Sequence, residues 1–145
     1  MEACAESPVL KAAEAAKLAS GTLASMSAKQ KNDALIAIAD ALDANAEKIE
    51  SENKKDLEAA KLEVEKGELN DALYQRLKLD RAKLHACTAG IRQIAAMADP
   101  VGHTTLAREL DEGLNLYRKT CPIGVVAVIF ESRPEAMPQI LSLCL

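Results

Sequence analysis

The chain has 145 residues, is 49% hydrophobic and 28% charged, and carries a formal net charge of −4. That length holds one ordinary domain with a real core, and an acidic balance with both signs interspersed lacks the basic stripe of a nucleic-acid surface. No apolar run approaches the roughly 18 residues that span a bilayer, and MEACAESPVLKAAEAAK lacks the basic start and apolar centre of a secretory signal, so a soluble cytoplasmic protein without membrane partners is expected.

Alanine and leucine dominate the apolar share, aromatics make up 2%, and residues 7–98 read as helix throughout. Ser7-Pro8 supplies a cap followed by proline at the first helical position, with Gly21 as the stop. Ser27 and Gln30 fit a capping box. After it Leu35, Ile38, Leu42, Ala46 and Ile49 recur at spacings of three and four and make one apolar face. ENKKDLEAAKLEVEKG continues as helix, with Leu57, Ala60 and Val64 on one side and a stop near Gly67. Asn70 is placed to cap a short helix holding Leu73, Tyr74 and Leu77. Asp80 is placed to cap the next, whose inner face is Leu84, Cys87, Thr88, Ile91, Ile94 and Ala95. Asp99-Pro100 ends it, because a residue before proline avoids the helical region.

After Pro100 the period changes. HTTLAREL and LNLYRKT flank a DEG turn at 111–113, which predicts a hairpin. Leu114 and Leu116 alternate with Asn115 and Tyr117, as in a strand with one covered face. VVAVIF, residues 125–130, is apolar at every position, which predicts a strand covered on both faces in a parallel sheet. Pro134 fits the cap of the helix that follows, and Pro138 then falls in its first turn, where amide hydrogens have no helical partner. The fold class expected is α/β. Residues 1–99 form a helical region, 100–120 a hairpin, and 121–145 the first strand–turn–helix of an open parallel sheet. A lone parallel strand needs a second one beyond a crossover, so the sequence reads as incomplete.

Four cysteines, at 4, 87, 121 and 144, form no CxxC pair, and His85 and His103 complete no ligand cluster. Neither zinc nor dithiol chemistry is expected, and the thiols read as reduced and structural.

Several segments are specific. KNDALIAIADAL, ENKKDLEAAK, LYQRLKLDRAKL, IRQIAAMADPVG and above all CPIGVVAVIFESRPEAMPQILSLCL resemble the N-terminal part of the γ-glutamyl phosphate reductases. These are also called glutamate-5-semialdehyde dehydrogenases, a branch of the aldehyde dehydrogenase superfamily. FESRP at 130–134 distinguishes this branch from ordinary aldehyde dehydrogenases, which carry an aromatic–asparagine turn there. The resemblance implies an NADPH-dependent oxidoreductase of proline biosynthesis that converts γ-glutamyl phosphate to glutamate 5-semialdehyde and phosphate. A cysteine thiolate attacks the acyl phosphate, phosphate leaves, and hydride reduces the thioester. It further implies a homo-oligomer at full length, a hairpin belonging to the oligomerisation element, and glutamate 5-kinase as a candidate partner.

Site residues follow from the same resemblance. Phe130, Glu131 and Ser132 occupy the turn that passes under the nicotinamide half of the cofactor. Ser132 stands where the superfamily places an oxyanion-hole asparagine; the alternative is a helix cap beside Pro134. Arg133 is expected either to grip the acyl phosphate or the substrate carboxylate, or to form a surface ion pair with Glu131 or Glu135. None of the four cysteines is expected to be the nucleophile, which lies beyond the matched region, and no metal is implied. Arg92 and Gln93 read as a solvated helix face or a contact to a neighbouring domain, and His85 as an exposed helical histidine. Two rivals stay open: an ordinary aldehyde dehydrogenase fragment, and a helical interaction or regulatory module without catalysis, since residues 7–98 suffice for a small bundle. The isolated chain is expected to show no reductase activity.

Overall fold

The computed structural model describes residues 7–145; Cys4 lies outside them. It consists of α1 (Pro8–Ser25), α2 (Ala28–Ala44), α3 (Ala46–Lys66), α4 (Asp71–Leu77), α5 (Arg81–Ala95), β1 (Thr104–Asp111), β2 (Leu114–Lys119) and α6 (Ala136–Cys144). No described helix is long and apolar enough to cross a membrane. The chain divides into two compact units: residues up to 28 with 98–127, and residues 29–97 with 128–145.

The second unit holds the core. Leu35 and Ala39 of α2 pack with Cys87, Ile91 and Ala95 of α5, and Ile38, Leu42, Ile94 and Leu145 close the edges. The expected inner face of α5 is therefore the buried one, with Ile94 at its margin. Arg92 leaves the other side of α5 and donates to Asp40 at 2.7 Å and Asp43 at 2.8 Å on α2. It is the clamp between these two helices rather than a merely solvated residue.

Local chemistry sets the helix ends. Asn70 and Asp80 cap α4 and α5 as expected, accepting from the Leu73 and Lys83 amides at 2.9 and 2.7 Å. Gly67, at φ +78°, ends α3. The Gly67 amide donates to Val64 and the Glu68 amide to Glu63, a Schellman arrangement that needs the left-handed residue glycine supplies. Two boundaries differ from expectation. Gly21 does not stop α1, which continues to Ser25; a lone glycine costs only about 1 kcal/mol in a stretch of good helix formers. The apolar face at 35–49 is split at Asn45, whose side chain donates to the Ala41 carbonyl at 2.8 Å, so Ala46 and Ile49 belong to α3.

Asn53 is one of the buried polar groups of the unit. From α3 it donates to the Leu77 carbonyl at 2.8 Å and accepts from the Leu79 amide at 2.9 Å. The α4–α5 connection is thereby tied to α3.

In the first unit α1 buries no residue. β1 and β2 pair antiparallel around Glu112-Gly113, and the register shifts beside the turn, where Gly113 has φ +73°. Thr120 closes the open end: its hydroxyl donates to the Pro100 carbonyl at 2.6 Å and accepts from the His103 amide at 2.9 Å.

Two expectations about strands are not met within the described residues. The hairpin has no covered face: Leu114, Leu116 and Tyr117 are 59%, 46% and 58% exposed. Residues 125–130 form no strand at all and are exposed throughout. A strand is a relation between two segments, and no described segment runs beside these residues to supply a ladder. The open parallel sheet is absent from the described residues for the same reason, and the architecture is helices plus one two-stranded hairpin. The helix after the turn does form. Glu135 rather than Pro134 takes its cap position, and Pro138 lies in the first turn as expected.

Candidate functional site

The turn 130–135 carries every site residue inferred from the sequence, and unit two alone frames residues 131–135. Phe130 is 47% exposed. Glu131 is exposed, and Ser132 is half-buried. Ser132 has φ +55°, the only non-glycine residue in the left-handed region among the described residues. A side chain there costs roughly 1 kcal/mol or more, and such strain gathers where a turn has to present a group in a particular direction. Helix capping does not account for Ser132: the α6 cap position belongs to Glu135, and no side-chain bond caps that helix.

Arg133 adopts the expected surface pairing, with Glu135 and not Glu131. Its Nε and guanidinium nitrogen approach Glu135 Oε1 at 3.4 and 3.5 Å. The other Glu135 oxygen, Oε2, is buried with no hydrogen-bond partner among the described residues. An acceptor left in that state forfeits the water it gave up.

Two open clefts flank the turn. One, of about 430 Å³, is lined by Gln75, Arg76, Lys83, Arg133 and Glu135. The other is lined by Pro134 together with Asn53, Leu79 and Ile49. The Asn53 lock therefore borders the same cleft as the turn. Arg76 and Lys83 escaped the sequence-based expectations because α4 and α5 are remote in sequence from the turn, whereas Glu135 was foreseen only as an ion-pair partner of Arg133. No spacing rule announces that their charges converge.

Cys87 is buried, and burial, then the Glu135 charge, pushes its thiol up, opposite to what a reactive thiolate needs. Cys121 and Cys144 are exposed. Among the described residues no group of His, Cys, Asp or Glu is arranged to hold a metal.

No family model matches the chain. Curated relatives and solved structures do. It is 49% identical over 142 residues to the γ-glutamyl phosphate reductase of Synechococcus sp. (strain JA-3-3Ab), covering 98% of this chain and 31% of the relative. With that of Methanosarcina barkeri it shares 50% over 130 residues, 90% of this chain and 29% of the relative. The crystal structure of the γ-glutamyl phosphate reductase of Saccharomyces cerevisiae superposes with a TM-score of 0.86 at 43% identity, over 94% of this chain and 34% of that one. The Thermotoga maritima reductase gives 0.85 at 28% identity, over 94% and 32%. The chain thus spans about three-tenths of the curated relatives it matches. Over almost all of its own length, it belongs to the γ-glutamyl phosphate reductase family.

Proposed function

We propose that the chain is the N-terminal part of an NADPH-dependent reductase that converts γ-glutamyl phosphate to glutamate 5-semialdehyde and phosphate, and that by itself it does not turn over. The observation that carries this is the match at 49% identity across 98% of the chain, the 130–134 turn included. The cofactor, when bound, supplies the hydride that reduces an acyl-enzyme thioester. In this reading Phe130 and the strained Ser132 turn offer an aromatic ring and a hydroxyl to its nicotinamide side. A pyrophosphate cradle would need glycines clustered before a helix start, and the six glycines here lie singly.

In this reading Ser132 donates its hydroxyl proton to the oxygen that gains charge as the nucleophilic cysteine, contributed from outside this chain, attacks the acyl carbon. Preorganised donors of that kind lower the barrier because they need no rearrangement as charge develops. Glu131 orients the turn. Arg133 exchanges its long contact with Glu135 for the substrate's phosphate or carboxylate, which its planar fork matches better. The division at 1–99, 100–120 and 121–145 into cofactor-domain helices, oligomerisation hairpin and first sheet unit belongs to the same proposal. So do a homo-oligomeric full-length state, a cytoplasmic location and association with glutamate 5-kinase.

A chimaera tests it. These 145 residues replace the matching segment of the Synechococcus relative, and phosphate-dependent NADP reduction is followed with glutamate 5-semialdehyde. An active chimaera supports the reading, and a folded but inactive one sinks it. The unattached chain given NADPH and γ-glutamyl phosphate is expected to stay at the uncatalysed background.

A further inference from the structure

We propose that Arg76, Lys83 and Arg133 form a binding site for a phosphate-class dianion, in the cleft of about 430 Å³ that they line together with Gln75 and Glu135. The three cations come from α4, the first turn of α5 and the turn before α6, all within one compact unit. Like charges brought to one cleft repel unless something neutralises them.

The carboxylate available does this poorly. Glu135 reaches Arg133 only at 3.4 and 3.5 Å, outside the ~2.7–2.9 Å of a good charge-assisted bond, and its second oxygen is buried away without a partner. Arg76 is exposed, with no hydrogen bond or ion pair among the described residues. The Lys83 ammonium donates to a neutral group, the Lys78 carbonyl. The contrast with Arg92 is informative. Where this fold uses an arginine as a structural clamp, it supplies two carboxylates at 2.7 and 2.8 Å. In the cleft two guanidinium forks and an ammonium share one ill-placed carboxylate. A phosphate group, with several oxygens spread around one centre, suits a set of cations lining one cleft better than a single carboxylate does. Glu135 then acts as an internal competitor that holds Arg133 until the anion arrives.

The anion has two sources under the reductase reading: the phosphoryl group of the acyl phosphate with its phosphate product, or the 2′-phosphate of the cofactor. The choice between them rests on that reading, whereas binding by the cleft does not. The chain is titrated at constant ionic strength with inorganic phosphate and, in a second arm, with 2′,5′-ADP, following the arginine Nε–H signals by ¹⁵N NMR. Saturable shifts at Arg76 and Arg133 are expected, with a dissociation constant of about 1–10 mM for phosphate, as suits a small ion on an open site. Arg76→Gln, which removes no internal contact, should weaken binding about five-fold or more, and Lys83→Gln by a similar factor, with helical circular dichroism unchanged. Binding of 2′,5′-ADP about ten-fold tighter than phosphate assigns the site to the cofactor; equal or weaker binding assigns it to the transferred phosphoryl group. Shifts reproduced by sodium chloride at the same ionic strength, unsaturated shifts, or wild-type binding by Arg76→Gln overturn the proposal. A dead chimaera with intact phosphate binding would fault the reductase reading and leave the cleft standing.

Discussion

Asn53 and Leu79 are joined by a buried hydrogen bond, the Leu79 amide donating to Asn53 Oδ1 at 2.9 Å, while the same side chain donates to Leu77 at 2.8 Å. One asparagine on α3 thus satisfies both the donor and the acceptor that the α4–α5 connection leaves free. Leu79 also lines a cleft with Pro134, so the lock borders the turn that carries Ser132 and Arg133. Replacing Asn53 by Ala strands both backbone groups, one of them buried. The expected loss is about 2–3 kcal/mol in urea unfolding. Asn53→Asp, which keeps the acceptor and loses the donor, should fall between Ala and the wild type. A loss within error for Asn53→Ala would mean that water replaces the bonds and that the lock is not structural.

Ser132 separates stability from function in a measurable way. Its φ of +55° suits glycine, so Ser132→Gly relieves left-handed strain at some entropic cost, with a net gain of roughly 0.5–1 kcal/mol expected in the chain. If the hydroxyl serves the oxyanion, the same change in the chimaera lowers kcat by about 100-fold with KM little altered. Gained stability with unchanged kcat would reduce Ser132 to a turn residue.

Arg92 makes the α2–α5 contact sensitive to acid. Its hydrogen bond to Asp43, helped by Thr88, holds the Asp43 carboxyl below its ordinary value, while the two aspartates raise Arg92. A depressed folded carboxylate contributes stability that is present above its unfolded value and lost as pH falls through the folded one. Unfolding midpoints should therefore drop below about pH 4. Arg92→Gln should flatten that acid limb and lower the midpoint at neutral pH, more at low salt than at high salt because the pairs face solvent. An acid limb unchanged by Arg92→Gln would locate the acid sensitivity elsewhere.

The helical half of the fold was legible because its signals are local. Asn70 and Asp80 cap through their own side chains within one turn, Gly67 stops α3 through its own φ, and the α5 stripe needs only the helical period. Gly21 misled because a stop signal competes with flanking propensity, and here propensity prevails. Residues 125–130 misled for a different reason. Their apolar run records what they are built to pair with, and pairing needs a neighbour that the described chain does not place beside them. At the site, FESRP was visible as a contiguous string. Arg76, Lys83 and the orphaned Glu135 oxygen were not, since their meeting depends on how α4, α5 and α6 are folded together.

Cys87 offers a last test, of the core and of Glu135 together. Burial, then the nearby Glu135 charge, raises its thiol above the ordinary value. In the native chain a disulfide reagent at pH 8 should modify Cys121 and Cys144, which are exposed, well before Cys87, which is 3% exposed. The alkaline linkage has a definite sign. The unfolded thiol ionises first, so the unfolded state binds fewer protons than the native one, and stability present below the unfolded value is lost as pH rises towards the raised folded value. Cys87→Ala removes that loss but leaves a small cavity, costing about 1 kcal/mol at neutral pH. Its unfolding midpoint should therefore start lower than the wild type and fall less steeply above about pH 8.5. Glu135→Gln withdraws the repelling charge while leaving the thiol buried, so its alkaline slope should lie between the two. Equal labelling rates for Cys87 and Cys121 in native buffer would show instead that the α2–α5 core opens faster than the reagent reacts.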